Sequence, residues 1–154
     1  KDNSPIVSAT DRCNMVKLAI KPFDYMSLST IETDRPGNTY TADTLAQIYD
    51  SYKKIYFIIG ADSLLYIQDW YHPEYICSHC HLLCANRDNN SASVLIDQKH
   101  FLADKYGAVI DFIDVPELPY SSTDIRKKVA MGLSVKEDVG EEVEEYIKSR
   151  KLYV

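Results

Sequence analysis

The amino-acid sequence predicts an α/β fold in which one domain, residues 1–154, is built on a doubly wound parallel sheet. Short apolar runs typical of buried strands alternate along the chain with longer segments whose apolar residues recur at helical spacing. A chain of 154 residues, 45% of them hydrophobic, is long enough for one core and short for two. No internal repeat or low-complexity tract interrupts the alternation.

The first predicted element is a helix over residues 9–20. Ser8 and Asp11 have the spacing of a capping box, which satisfies free amides at a helix start. Pro22 ends the helix because proline cannot continue the hydrogen-bond ladder. The residues expected on its inner face are Cys13, Val16, Ala19 and Ile20.

A strand and a second helix are predicted next. Residues 25–31 mix apolar and hydroxyl side chains in the manner of a half-buried strand. Residues 34–38 contain Pro and Gly and predict a loop. Thr41 is then expected to cap a helix that carries Leu45, Ile48 and Tyr52 on one face.

Residues 55–59 form the strongest predicted strand. They are continuously apolar and end at Gly60, which favours a strand buried on both faces of a parallel sheet over an edge strand. A helical stretch over residues 62–70 follows. The remaining elements are a short helix, a strand at 81–85, a helix at 92–106, a strand at 109–113 and helices at 122–131 and 141–150. The last helix is expected to bury Val143 and Ile147 and to leave its glutamates in solvent.

Charge and hydropathy exclude several classes of protein. The net charge of −6 argues against a surface for duplex nucleic acid, which needs a basic stripe. Apolar runs stay far below the roughly twenty residues of a membrane span, and the first residues lack a secretory stretch. The sequence therefore predicts a soluble, cytoplasmic protein that binds neither nucleic acid nor membrane.

Ligands of an open parallel sheet gather beyond the carboxyl ends of its strands, and residues 58–62 form the first such place. Gly60 lets the backbone turn sharply, and Asp62 emerges at a helix start where its carboxylate can accept bonds from ribose hydroxyls. The alternative is that Asp62 merely caps the helix.

A second candidate is the segment 119–126, with Ser121, Ser122 and Thr123 at a helix N-terminus and Arg126 one turn later. Free amides, the helix dipole and a guanidinium together can bind a phosphate chain. Ordinary helix capping explains the hydroxyl residues equally well.

A third candidate combines Thr39, Tyr40 and Thr41 with Trp70. Hydroxyls and an indole face can hold a planar aromatic ligand by hydrogen bonds and stacking. The alternative is that a lone Trp at the end of a helix is simply part of the core.

The cysteines raise a competing hypothesis. Cys77, Cys80 and Cys84, with His79 and His81, supply enough soft ligands for a tetrahedral zinc. No second ligand pair occurs at zinc-finger spacing, and Cys84 falls in an apolar stretch where a thiol packs as a small hydrophobe. We therefore predict no metal ligands. The P-loop, dinucleotide-binding and hydrolase-elbow motifs do not occur either.

Taken in order, several segments resemble bacterial nicotinate-nucleotide adenylyltransferases. They are 11–12, 35–45 (RPGNTYTADTL), 57–62 (FIIGAD), Trp70, 121–126 (SSTDIR), 146–147 and 152–153. The ordered set is far more specific than any one member and spans nearly the whole chain. The resemblance implies a Rossmann-like sheet of the nucleotidylyltransferase type and transfer of AMP from ATP to nicotinate mononucleotide, giving deamido-NAD and pyrophosphate with Mg²⁺, a step of NAD biosynthesis.

The resemblance also implies roles for individual residues. Tyr40 and Thr41 would recognise the nicotinate carboxylate, Trp70 would stack on the pyridine ring, and Asp62 would lie against the bound nucleotide. The residues expected to hold the ATP phosphates are Ser122, Thr123, Arg126 and Arg87. Arg87 matches a family arginine after a strand, although Asp88-Asn89 replaces the usual Pro-Gly.

One departure separates this chain from the family pattern. Family members begin with a strand and a Gly-x-Phe-Asp-Pro-x-His-x-Gly-His segment whose histidines steady the transferring phosphate, and neither occurs here. The histidines at 72, 79, 81 and 100 stand in other contexts. Because nucleotidyl transfer depends on positioning and charge stabilisation, we expect this chain alone, as the C-terminal two-thirds of the domain, to have little or no activity and the full-length parent to be active.

Two further hypotheses stay open at this point. The chain could be a shortened relative that binds nucleotide without catalysis, or a sister adenylyltransferase that acts on nicotinamide mononucleotide or phosphopantetheine. The pairing of Tyr40-Thr41 with Trp70 favours nicotinate. ATP and nicotinate mononucleotide are the expected partners, and a homo-oligomer is compatible with the sequence.

Overall fold

The computed structural model describes residues 7–86, 92–116 and 120–154. The chain divides into two compact units. The sheet unit is Arg35–Glu117, and the helical unit combines Lys1–Asp34 with Leu118–Val154. That the two units form a single domain remains a prediction from the sequence.

Helices and strands alternate as the sequence predicts. The helices are α1 (Ala9–Ile20), α2 (Thr41–Ile48), α3 (Ala61–Tyr66), α4 (Pro73–His79), α5 (Ala92–Tyr106), α6 (Ser122–Ala130), α7 (Lys136–Val139) and α8 (Glu141–Ser149). The strands are β1 (Tyr56–Gly60), β2 (His81–Asn86) and β3 (Val109–Asp114). Short 3₁₀ turns occupy Tyr49–Ser51 and Ile67–Asp69. None of the helices in the described ranges is long and apolar enough to cross a membrane.

The sheet is parallel in the order β1-β2-β3. Ile58 is in register with Leu83, and Leu83 with Asp111, so the carboxyl ends of the strands share one edge. This confirms the predicted α/β class with its parallel sheet.

The core of the sheet unit lies on one face of this sheet. Leu82, Cys84 and Ile110 point from the strands toward it, and Leu64 and Leu102 meet them from α3 and α5. All five side chains are almost completely buried, so this unit is stabilised chiefly by removal of apolar surface from water.

The prediction that β1 is buried on both faces is wrong. Ile59 is buried in the core, but Tyr56 and Ile58 point the other way and keep 51% and 65% of their surface exposed. β1 is also the first strand of the described sheet, with β2 as its neighbour. A continuous apolar run shows that both faces could be buried, whereas the tertiary structure decides which face is covered.

The predicted strand at residues 25–31 is also wrong, because these residues contain no strand. Polar groups of residues 25–31 and of the residues beside them form hydrogen bonds within local turns instead. The backbone N–H of Met26 donates to Phe23 O at 3.1 Å, that of Asp34 to Thr30 O at 2.9 Å, and the Thr33 hydroxyl to the same carbonyl. Hydroxyl side chains that satisfy nearby backbone groups compete with strand pairing.

Two helix boundaries in the sheet unit differ from expectation. Thr41 is the first residue of α2 rather than its cap, since Tyr40 keeps an extended backbone (φ −117°, ψ 140°) and occupies the N-cap position. The predicted helix over 62–70 is α3 followed by the 3₁₀ turn, which ends at Asp69.

In the helical unit, the capping box at α1 is confirmed: the Asp11 backbone N–H donates to Ser8 Oγ at 3.0 Å. The predicted inner face is wrong, because Val16 is exposed while Met15 and Leu18 pack on the core. Asp11 is buried instead. Its carboxylate accepts bonds from the Tyr146 hydroxyl (2.8 Å) and Arg150 Nε (3.2 Å), which connects α1 to α8.

α8 buries Val143 and Ile147 as predicted, but it also buries Glu144, which was expected in solvent. Glu144 accepts bonds from the Ser134 hydroxyl and the Val135 backbone N–H, each at 2.7 Å, and pairs with Lys148 at 2.9 Å. These contacts, with the Lys148 bond the largest, lower the pKa of Glu144 from 4.5 to about 2.

Candidate functional site

Tyr40, Thr41 and Trp70, which the sequence grouped as a ligand pocket, line a single cavity of about 390 Å³. The other described residues of its wall are Thr39, Asp69, Tyr71 and Ile76. The cavity lies wholly within the sheet unit, and we call it the aromatic pocket. Its volume suits one ring system with a few polar substituents.

Trp70 enters the aromatic pocket from the 3₁₀ turn that follows α3. Its backbone N–H donates to Ile67 O at 3.1 Å, which closes the turn. Its ring packs edge-on against Phe57 with centroids 6.3 Å apart. Trp70 is half-buried, so it is anchored on the core and lines the cavity at once.

Tyr40 and Thr41 line the aromatic pocket from the start of α2. No side chain caps this helix, so its first amides and the positive end of its dipole are suited to an anion. The Tyr40 ring packs on Tyr71 with centroids 4.5 Å apart, which holds one phenol beside the pocket. An aromatic ring bearing a carboxylate matches this combination of an indole face and an uncapped helix start.

Asp62 takes a different position from the other predicted pocket residues. Gly60 is the N-cap of α3 and no side chain caps that helix, so the alternative that Asp62 caps it is wrong. Asp62 is exposed in the first turn, at the carboxyl end of β1. It is not among the described residues that line the aromatic pocket.

The predicted phosphate-binding residues lie at the start of α6 in the helical unit. Ser121 is the cap: its Oγ accepts the Asp124 backbone N–H at 3.0 Å. The capping explanation therefore holds for Ser121, whereas Ser122 and Thr123 open the helix itself. Arg126 Nη2 lies 3.4 Å from Thr123 Oγ1, so a guanidinium and a hydroxyl stand together one turn into the helix.

The predicted residues thus form two groups in two units. Tyr40, Thr41 and Trp70 are together in the sheet unit, while the α6 group belongs to the helical unit. Arg87 lies outside the residues that the structure describes.

Three of the four cysteines are core residues. Cys77, Cys80 and Cys84 are buried free thiols, and Cys80 Sγ donates to Ile76 O at 3.1 Å. Burial raises the pKa of Cys77 to about 11 and that of Cys80 to about 12, which keeps both protonated at neutral pH. Within the described ranges, no three His, Cys, Asp or Glu residues are grouped to hold a metal.

The histidines have local partners. His72 Nδ1 is 2.9 Å from Glu74 Oε1, and His81 Nε2 is 2.9 Å from Asp111 Oδ2. His79 stacks on Tyr75 with centroids 3.7 Å apart. His100 is an exposed residue of α5. None of the four lines the aromatic pocket in the part of the chain described.

Sequence reasoning missed Tyr71 and Asp69. The aromatic doublet Trp70-Tyr71, directly after a helical turn, was the available signal for Tyr71. Asp69 places a carboxylate on the wall of a pocket expected to take an acid, and it is exposed, so water screens its charge.

Comparison with known proteins adds the family. A family model described as cytidylyltransferase-like matches residues 1–128. Proteins named probable nicotinate-nucleotide adenylyltransferase are similar to the chain: that of Lachnoclostridium phytofermentans is 34% identical and matches 100% of this chain and 78% of its own length. The protein of Caldicellulosiruptor bescii is 35% identical over 96% of this chain and 75% of its own length. The protein of Moorella thermoacetica is 36% identical over 99% of this chain and 72% of its own length.

Solved structures show the same fold. Nicotinic acid mononucleotide adenylyltransferase of Plasmodium falciparum, complexed with NaAD, superimposes with a TM-score of 0.72 at 17% identity over 99% of this chain and 78% of that one. The complex of the same protein with APC superimposes with a TM-score of 0.72 at 18% identity over 96% of this chain and 77% of that one.

Proposed function

Since the chain belongs to the nicotinate-nucleotide adenylyltransferase family, of the cytidylyltransferase-like type, we propose that the protein transfers the adenylyl group of ATP to nicotinate mononucleotide. The products are deamido-NAD and pyrophosphate, a step of NAD biosynthesis. Among the observations on this chain, the one that carries the proposal is the aromatic pocket, where Tyr40, Thr41 and Trp70 come together.

The nicotinate ring and its carboxylate are assigned to different residues of this pocket. Trp70 stacks on the pyridine ring, because it offers an indole face anchored on Phe57. Tyr40 and Thr41 receive the carboxylate at the start of α2, where the helix lacks a side-chain cap. Asp62 lies against the ribose of the nucleotide, since its exposed carboxylate follows β1.

The phosphates of ATP are assigned to the start of α6. Ser122 and Thr123 supply hydroxyl and backbone donors, and Arg126 supplies a guanidinium beside Thr123. Arg87 joins them in this proposal on the family resemblance alone.

The reaction depends on how the protein positions ATP and nicotinate mononucleotide and does not need a protein nucleophile. A phosphate oxygen of nicotinate mononucleotide forms a bond to the α-phosphorus of ATP, the bond to the bridging oxygen breaks, and its electron pair leaves with pyrophosphate. The proposed role of the α6 group is to stabilise the charge that grows on the departing phosphates. The proposed role of the aromatic pocket is to bind and orient the acceptor nucleotide.

Mg²⁺ enters this proposal only as part of the substrate MgATP. The described residues offer no cluster of three acidic, His or Cys side chains for a resident ion. A homo-oligomer and a cytoplasmic location remain predictions.

The test is formation of deamido-NAD from ATP and nicotinate mononucleotide by the complete protein encoded by the gene. We expect turnover, and we expect Trp70→Ala to raise KM for nicotinate mononucleotide by about tenfold, because stacking and pocket shape are lost together. Trp70→Phe, which keeps an aromatic face, should raise this KM by less than Trp70→Ala does. Absence of turnover by the unsubstituted protein would refute the proposed function, whereas full activity of Trp70→Ala would refute only the assigned pocket.

A further inference from the structure

Arg35 is the least expected charged group of the sheet unit. Its side chain is only 18% exposed, and its Nε and Nη1 are buried without a hydrogen-bond partner among the described residues. The nearest carboxylate, Asp43 Oδ2, is 3.9 Å from Nη1 and partly exposed. A buried guanidinium with unmatched donors destabilises a fold relative to an apolar side chain of similar size, so packing does not explain its presence.

The donor that Arg35 does use points at the start of α2. Arg35 Nη2 donates to Thr44 Oγ1 at 2.9 Å. The Thr44 hydroxyl in turn donates to the Tyr40 carbonyl at 3.3 Å, and the Thr44 backbone N–H donates to the same carbonyl at 3.1 Å. A continuous chain of hydrogen bonds therefore runs from the guanidinium to the N-cap residue of α2.

This chain ends at the wall of the aromatic pocket. Tyr40 and Thr41 both line it, and no side chain caps α2 to fix the backbone at this point. The bonds to the Tyr40 carbonyl therefore restrain the backbone of the N-cap residue at a helix start where no capping side chain does so. A charged donor on Thr44 polarises its hydroxyl and strengthens the bond that the hydroxyl makes to Tyr40.

We propose that Arg35 is a positioning residue of the nicotinate site, acting through Thr44 to fix the Tyr40–Thr41 backbone. Arg35 touches no substrate in this account, which rests on the proposed function for the identity of the ligand. Its effect is confined to the nicotinate side of the reaction, because the chain of hydrogen bonds ends in the aromatic pocket. Loss of the chain leaves the α6 group unchanged.

The experiment compares Arg35→Met, Thr44→Val and the double variant in the complete protein, with Lys53→Met as the matched control at an exposed site of the same unit. We expect each single variant to raise KM for nicotinate mononucleotide by about tenfold, because one charge-assisted hydrogen bond is lost, while KM for ATP stays unchanged. The double variant should be no worse than Arg35→Met, since both substitutions break one chain. A merely structural arginine would lower Tm without separating the two KM values, and that result would overturn the proposal.

Hydrogen exchange of the Thr44 amide provides a second measurement that needs no turnover. Exchange should accelerate in both single variants and not in Lys53→Met, because the bond to the Tyr40 carbonyl is loosened. Unchanged exchange in both would overturn the proposal even if the enzyme is active. If the unsubstituted protein fails to turn over nicotinate mononucleotide, the proposed function fails and the exchange measurement alone decides whether Arg35 fixes this segment. If Arg35→Met does not fold, Thr44→Val provides both readouts.

Discussion

The two units of this chain are stabilised in different ways. The sheet unit buries a large apolar cluster that includes Leu64, Leu82 and Leu102, and even its cysteines pack there as protonated hydrophobes. The helical unit has a small buried cluster of Val129, Val135, Val143 and Ile147, and it adds two buried carboxylates with dense hydrogen bonding. The contrast suggests that a unit with little apolar surface to bury relies on polar networks between its helices.

The contrast extends to function. In the sheet unit, the proposed nicotinate residues stand on loops and helix ends around a rigid core, as ligand sites commonly do. In the helical unit, the proposed phosphate residues use the start of α6 itself. The first unit is thus assigned recognition of the nicotinate ring and its carboxylate, and the second recognition of the ATP phosphates.

The largest expected effect tests the difference between the cores. Leu102→Ala, in the sheet unit, should lower the free energy of unfolding by about 2–5 kcal/mol because it leaves a cavity in a fully buried cluster. Val129→Ala, in the helical unit, removes less apolar surface and should cost about 1–2 kcal/mol. Urea denaturation of both variants measures the two losses. Equal losses would break the comparison.

The next effect tests the assignment of the ATP phosphates to the helical unit. Arg126→Met should lower kcat/KM for ATP by about 100-fold, because a guanidinium that stabilises phosphate charge is lost. Lys127→Met, at an exposed neighbour on α6, is the control and should change kcat/KM much less. Initial rates with ATP varied at saturating nicotinate mononucleotide provide the measurement. If both variants lose activity equally, general positive charge rather than Arg126 would be responsible.

The smallest effect concerns acid stability of the helical unit. The pKa of Glu144 is lowered from 4.5 to about 2, so its contribution is present above pH 4.5 and is lost as the pH falls toward 2. Glu144→Gln should lower Tm at neutral pH by a few degrees and flatten the dependence of Tm on pH across this window. The exposed Glu145, on the same helix, provides the control substitution Glu145→Gln. A variant with unchanged pH dependence would show that Glu144 does not contribute.

Local signals explain which parts of the fold the sequence predicts. The start of α1 follows from the Ser8 capping box and its end from Pro22, and the apolar run before Gly60 locates β1 to within one residue. Exposure of Ile58 could not be predicted, because its surroundings depend on distant segments. Glu144 was missed for the same reason: two of its partners, Ser134 and Val135, lie in a separate segment about ten residues upstream.

The candidate site follows the same rule. The grouping of Tyr40 and Thr41 with Trp70 in one cavity agrees with the sequence hypothesis, since these residue types carry a recognisable chemistry. Tyr71 and the hydrogen bonds of Arg35 depend on side-chain directions that a sequence does not give. The roles assigned to the individual site residues remain proposals until they are measured.

The most direct test of the central claim compares nicotinate mononucleotide with nicotinamide mononucleotide as acceptor in the complete protein. The two differ only in a carboxylate against an uncharged amide, which is the group assigned to the start of α2 beside Tyr40 and Thr41. We predict that kcat/KM for the acid exceeds that for the amide by at least about 100-fold, the discrimination expected from one recognised charge. Equal values for the two acceptors, or preference for the amide, would contradict the account.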